Sequence, residues 1–295
     1  MITAPGRGVT LAVAALVINA AVWGMSWWPF RELQSLGLHP LWSTALIYFF
    51  SLACIVLWQP AAWRNFARYP QLWLLALAAG LTNVGFNWAV TVGDVVRVVL
   101  LFYLMPAWSV LLAWAVLGEK PTRASLLRLL LAMAGVLIVL KAPDSPWPVP
   151  QGIADWLALM GGVSFAATNV LLRKLEYTPS AARMMAMFGG GGVLASAAAL
   201  LGLAGGIVSA PVWTLASLPV ALGLGLAFLV SNVALQYGAA RLAASTTALV
   251  MLTEILFASL SAAALGAAEF SPRTLLGGSL IVLAALLAAM APTRK

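Results

Sequence analysis

The octapeptide Pro143-Asp144-Ser145-Pro146-Trp147-Pro148-Val149-Pro150 decides how the chain is organised. A proline has no amide hydrogen and pushes the residue before it out of the helical region, so four of them in eight positions end any helix. On the N-terminal side of this stretch lie five apolar runs, at 10–31, 40–58, 71–92, 94–117 and 124–141. On the C-terminal side lie five more, at 152–173, 180–203, 217–238, 243–266 and 272–290. At about 1.5 Å of rise per residue each run is long enough to cross a hydrocarbon core about 30 Å thick. A membrane barrel would instead show alternating segments of about ten residues. The expected fold is therefore an all-α integral membrane protein with ten transmembrane helices. It would comprise a five-helix repeat at 1–141, a Pro-rich linker at 142–151 and a second five-helix repeat at 152–295. Because five is odd, the halves enter the membrane in opposite senses, as in an inverted-topology repeat.

Composition agrees with a membrane solvent. Of the 295 residues, 63% are hydrophobic and 8% charged, against about 25% charged in a soluble domain. The mean hydropathy of +1.01 leaves too little polar surface to cover a water-soluble globule. A net charge of +8 would suggest nucleic acid in a soluble protein, but here the sixteen Lys and Arg fall almost entirely between apolar runs. The charge therefore reads as topology, and no nucleic-acid partner is expected. Alternating the loops puts Arg7, Arg64, Arg68, Lys120, Arg123, Arg128, Arg173, Lys174, Arg183, Arg241, Arg294 and Lys295 on one side. Arg31, Arg97, Lys141 and Arg273 fall on the other, and this bias predicts both termini in the cytoplasm. The first run stays apolar to Phe30, too long for the core of a signal peptide, and is kept as a span. Trp42, Trp58, Trp63, Trp73, Trp147, Trp156 and Trp213 lie near run ends, where an indole anchors at the interface.

Several function classes drop out. One cysteine, Cys54, and one histidine, His39, make neither an intrachain disulfide nor a metal site, and no cofactor is implied. The chain holds no Gly-x-x-x-x-Gly-Lys-Ser/Thr loop for a nucleotide-driven pump. It also shows no nucleophile with a base, so no enzyme is expected.

The halves echo each other. At an offset of 142, Trp23-Gly24-Met25-Ser26 meets Phe165-Ala166-Ala167-Thr168, and Arg31-Glu32-Leu33 meets Arg173-Lys174-Leu175. At an offset of 149, Asn83-Val84-Gly85-Phe86-Asn87-Trp88 meets Asn232-Val233-Ala234-Leu235-Gln236-Tyr237. Leu117-Gly118-Glu119 leads into the fifth run as Leu265-Gly266, followed by Glu269, leads into the tenth. Apolar helices match cheaply, so the paired amides carry more weight than the Leu and Ala identities.

With Trp23-Gly24-Met25-Ser26, the Leu117-Gly118-Glu119 turn, a following helix that ends near Gly135 and Glu254 in the ninth run, the whole chain resembles the drug/metabolite transporter superfamily. Within it the chain is most similar to the ten-helix exporters of the EamA type, and among those to aromatic amino acid exporters of the YddG type. It departs from that pattern where Glu254 precedes Ile255 rather than proline, where Met105-Pro106 stands in the fourth run, and where Arg128 replaces an early glycine. The resemblance implies export of small amphipathic metabolites, aromatic or hydrophobic amino acids among them, by alternating access in the bacterial cytoplasmic membrane. The partners implied are the small-molecule substrate, membrane lipids and protons, with a monomer as the working unit. A multidrug or other metabolite exporter, a channel and a lipid scramblase are the alternatives.

Polar and aromatic residues at mid-run are the site candidates. A carboxylate at the centre of a span costs about 3 kcal/mol to insert, so Glu254 asks for a reason, either proton or substrate-amine binding or a hydrogen bond between helices. Asn83 and Asn87 share a helix face, as do Asn232 and Gln236, and each couple either lines a cavity or holds helices together. Trp23, Ser26, Trp27, Tyr103 and Trp108, with Phe165, Asn169 and Tyr237, complete the expected substrate surface, although rings also fill ordinary cores. Pro106 can kink the fourth span opposite Glu254. The run Gly189-Gly190-Gly191-Gly192 reads equally as a hinge or as a close packing surface. Asp94 and Arg97, at the corner between the third and fourth spans, read as a local ion pair or a water-exposed pair, with a gating role as the lesser alternative.

Overall fold

A computed structural model describes residues 7–93, 95–141, 150–266 and 272–290. Most of the Pro-rich linker, together with Asp94, Glu269 and both chain ends, lies outside the described residues. Among those described, ten apolar helical segments are long enough to span a membrane. The spans at 40–58 and 97–117 end where the apolar runs end, and the remainder agree within a few residues.

Ten spans are not ten unbroken helices. The first is α1 (Arg7–Met25) followed by α2 (Trp27–Ser35), and the second is α3 (Pro40–Trp58). A short α4 (Ala61–Arg68) follows, which the run pattern does not contain, burying Ala62 and Phe66 while Trp63 stays exposed. The third span is α5 (Leu72–Val92), and the fourth is split into α6 (Val95–Phe102) and α7 (Met105–Leu117). The fifth to eighth are α8 (Arg123–Leu140), α9 (Ile153–Lys174), α10 (Ser180–Ala204) and α11 (Ser217–Ala239). The ninth is split into α12 (Ala244–Met251) and α13 (Glu254–Ala264), and the tenth is α14 (Pro272–Ala289).

Local chemistry sets the ends. His39 Nδ1 accepts from the Leu41 amide at 3.2 Å, with Pro40 in the first turn, where its missing N–H costs nothing. Gly118 ends α7 with φ of 70°, which lets the Glu119 amide donate to the Ala113 carbonyl at 3.2 Å and the Gly118 amide to Trp114 at 3.1 Å. This is the physical content of the Leu-Gly-Glu turn. Just beyond it, Thr122 and Ser125 form a reciprocal capping box that starts α8.

Small residues set how the spans pack. α5 lies against α9 and α10, α10 against α3, α1 against α11 and α13, α9 against α7, and α8 against α14. A methyl added to Gly85 would meet the Leu157 carbonyl at 2.7 Å, and one added to Gly135 would meet that of Gly277 at 2.6 Å. Without a hydrophobic drive in lipid, such backbone contact is what holds helices together. Gly190 does the same against the Ala76 carbonyl, while Gly191 and Gly192 seat the rings of Tyr48 and Phe49. α10 runs without interruption through this tetrad. Leu57, Leu127, Leu130, Leu201 and Leu276 point outward, the pattern expected of a lipid-facing surface.

Candidate functional site

Of the three spans broken among the described residues, the fourth and the ninth meet at their breaks. α6 ends at Phe102 and α7 begins at Met105 with Pro106 in its first turn, so the fourth span opens at Tyr103-Leu104. In the ninth, α12 ends at Met251 and α13 starts with Glu254. No proline marks this second break. Thr253 turns its hydroxyl back to the Val250 carbonyl at 2.8 Å, competing with the helical ladder. Tyr103, buried at the first break, interacts through its hydroxyl with the Glu254 carboxyl at the second. Leu252 and Ile255 are buried, while Glu254 itself keeps partial exposure.

Other elements close on the same place. Gly24 of α1 lies so near the ninth span that a methyl there would sit 2.5 Å from the Glu254 carbonyl oxygen. Phe102 packs its ring 4.9 Å from Phe86, 5.8 Å from Tyr103 and 6.0 Å from Phe165. Trp23 stacks on Phe228 at 4.4 Å, and Tyr48 meets both Phe228 and Phe188 edge-on. The structure thus brings Trp23, Tyr103, Phe165 and Glu254 into one continuous interior. Phe86, Phe102, Tyr48 and Phe228 belong to it too, and sequence reasoning missed them. A ring inside an apolar run carries no signal of which helix it will face.

The amides make contacts between helices. Asn83 accepts from the Tyr48 hydroxyl at 2.9 Å and donates to the Ala79 carbonyl, and Asn87 donates to Thr44 Oγ1 at 2.8 Å. Gln236 donates to Asn232 Oδ1 at 2.7 Å and accepts from Arg183 Nε at 3.0 Å, while Asn232 donates to Met187 Sδ at 3.4 Å. Arg183 is a buried cation that also donates to the carbonyls of Leu175, Glu176 and Thr178. Its place one turn inside the seventh run was the available clue. Asn19 donates to Ser231 Oγ at 2.6 Å, tying α1 to α11. Arg97 forms a two-oxygen contact with Asp155 at 2.9 Å, joining the fourth and sixth spans, while Asp94 lies outside the described residues.

The remaining expected residues are scattered. Ser26 donates to the Trp23 carbonyl at the α1–α2 break, and Trp27 Nε1 donates to Ser261 Oγ at 2.9 Å. Trp27 borders a cavity of about 300 Å³ with Arg31 and Glu32 at one end of the bundle. The Tyr237 ring lies under the Arg241 guanidinium at 3.8 Å, near the other end. Among the described residues, the fully buried Asn169 has neither amide atom bonded and the Trp108 indole N–H has no partner. A second cavity, of about 760 Å³, opens at the end of the bundle where Lys120, Arg128, Arg173 and Arg241 gather around Glu119. Burial pushes the Glu119 carboxyl above its usual range, opposed by the Ala244 amide and by Arg173.

Known proteins share this architecture. A solved crystal structure superposes with a TM-score of 0.78 at 17% identity, covering 99% of this chain and 100% of that one. Protein RarD of Salmonella typhi is 29% identical over 188 residues, which is 60% of this chain and 63% of the relative. An uncharacterized transporter of Pseudomonas aeruginosa is 25% identical over 179 residues, 57% of this chain and 55% of the relative. The matched segment thus spans less than two thirds of the length of these curated relatives. Residues 10–141 match the EamA-like transporter family. Across the first five of its ten membrane-crossing helices the chain is thus similar to EamA-like transporters.

Proposed function

We propose that the protein is a secondary transporter that exports small amphipathic metabolites, aromatic or hydrophobic amino acids first among them, by alternating access. The observation that carries this reading is the meeting of Tyr103 and Glu254 where two discontinuous spans face each other. Discontinuous helices that expose half-helix ends inside a membrane are the usual way a transporter builds a substrate site. The first turns of α7 and α13 supply the positive ends of two helix dipoles, suited to a substrate carboxylate. Glu254 supplies the counter-charge for an ammonium group, or takes a proton when the ammonium is absent. Phe86, Phe102, Phe165 and Trp23 offer ring faces for an apolar side chain, worth about 0.5 to 1.5 kcal/mol for each ring pair beyond area burial.

An inverted repeat would serve the same reading. α1 packs on α11 and α13 as α9 packs on α5 and α7, which is the pairing a two-fold axis within the membrane plane would produce. The fourth and ninth spans, whose breaks meet, each occupy the fourth place of their half. On this plan the five-helix units at 1–141 and 152–295 rock about the breaks and about the glycine surface of α10. The charge bias sets both termini in the bacterial cytoplasm, and one chain suffices for the cycle.

Counterflow in proteoliposomes preloaded with a panel of amino acids and hydrophobic drugs tests this directly. Faster exchange of tryptophan or phenylalanine than of small polar amino acids is expected. Exchange of drugs alone would move the assignment to a multidrug exporter, since ring surfaces suit both. No exchange of any solute would overturn the proposal.

A further inference from the structure

We infer that the cavity of about 760 Å³ ringed by Lys120, Arg128, Arg173 and Arg241 is an oxyanion site for phosphate, carried by an anionic phospholipid headgroup or by a soluble anion. It lies at the ends of α7, α9 and α14 and the starts of α8 and α12, and so at one membrane surface. By the charge bias this surface is the cytoplasmic one. Basic pockets between spans at that depth suit anionic headgroups.

The charges in the cavity do not cancel. Four cations face one carboxylate, Glu119. Arg173 is engaged, by Glu176 at 3.0 Å and by the Ala240 carbonyl. Arg128 and Arg241 are held only by neutral groups among the described residues. Arg128 Nη1 donates to the Leu287 carbonyl at 2.9 Å, and Arg241 donates to the Tyr237 carbonyl at 3.0 Å while stacking on that ring. Both guanidinium groups are thus fixed in position without a counter-ion, and each keeps donors in reserve.

Backbone donors point the same way. α12 starts without a side-chain cap, and Ser245 and Thr246 of its first turn line the cavity. Amides at a helix start bind oxyanions, and this start already holds one carboxylate, since the Ala244 amide donates to Glu119.

An independent observation lies beneath the cavity. Asn169, Ser109 and Thr247 are fully buried, and each has side-chain atoms with no hydrogen-bond partner among the described residues. Each sits four residues from a residue that lines the cavity, respectively Arg173, Ala113 and Ala243. Four residues is one turn on the same face, so these unpartnered polar groups lie one turn inward of the lining, beside the apolar contacts of Ala113, Val170 and Ala244.

The test uses the full chain in detergent, with native mass spectrometry to count retained phosphatidylglycerol against phosphatidylcholine. Preferential retention of phosphatidylglycerol is expected. Arg128→Gln with Arg241→Gln should cut that preference roughly thirtyfold, as removal of two charges near an anionic surface implies. Arg128→Lys with Arg241→Lys should keep it. Millimolar inorganic phosphate that displaces the lipid and raises Tm assigns the site to soluble oxyanions. Lipid held against phosphate assigns it to the headgroup. Equal retention of both lipids with no phosphate effect on wild-type Tm would overturn the inference, and so would an unchanged preference in the Gln double variant. Binding is read without transport, so its failure is distinct from failure of the exporter assignment.

Discussion

At the scale of single residues, Glu254 and Tyr103 are the two side chains whose contact joins the broken spans, and their substitutions separate function from folding. Glu254→Gln keeps the shape and the hydrogen-bonding capacity but cannot release a proton. It is expected to fold normally and to abolish any pH dependence of net transport, while exchange without a gradient survives. Transport by the Gln variant with an unchanged pH profile would show that the carboxyl is structural. Gln236 has a different role. It is one of the groups that satisfy Arg183, and leaving a buried charge under-satisfied costs about 1.5 to 3 kcal/mol. Gln236→Leu should therefore lower Tm before it changes substrate preference, and a variant with wild-type Tm and altered preference would place Gln236 in the path instead.

At the scale of elements, the two breaks differ in how they were written into the chain. Pro106 announces the first, since proline is welcome in the first turn of a helix and unwelcome within one. The second rests on Thr253, whose hydroxyl bonds back to Val250, a habit common to many threonines that stay inside helices. The glycine tetrad of α10 follows a simpler rule. Gly190 leaves no room for a side chain against Ala76, so Gly190→Val should destabilise the protein by about 1 to 3 kcal/mol through overpacking. Gly189→Ala, with only Leu52 within reach at 4.0 Å, should be tolerated. Thermal unfolding of the two variants side by side checks the contrast, and equal loss in both would point to a flexing role for the whole tetrad.

At the scale of the molecule, the charge bias makes a directional prediction. Cysteine labels near Arg68 and Lys174, in a background with Cys54 replaced, should be shielded from a membrane-impermeant reagent in intact cells. Labels near Arg273 should react. The reverse pattern would invert the topology and move the basic cavity to the outer surface. Arg97 and Asp155 join spans from the two halves, and removing one member of a mostly buried pair costs about 3 to 5 kcal/mol. Asp155→Ala should therefore lower Tm, whereas Arg97→Met with Asp155→Leu should recover part of the loss.

Hydropathy and the positions of Pro, Gly and charge determined the class, the ten spans and nearly all their ends, because in lipid each span must satisfy its own backbone and must be apolar for a fixed length. The Leu117-Gly118-Glu119 turn and the place of Glu254 within the ninth span were legible for the same reason, one as a helix stop and the other as a costly exception. Partnership between helices was not legible. A ten-span chain repeats the same apolar alphabet in every helix, so nothing local told that Phe102 would meet Phe165, that Arg97 would reach Asp155 rather than act only at its own corner, or that Lys120, Arg128, Arg173 and Arg241 would ring one cavity. Those choices depend on which faces approach closely enough, and approach is set by small residues such as Gly85, Gly135 and Gly190 acting against surfaces far away in the chain. The sequence by itself determined what must lie in the membrane; only the tertiary structure decided which side chains meet there, because packing between helices is a property of pairs of surfaces.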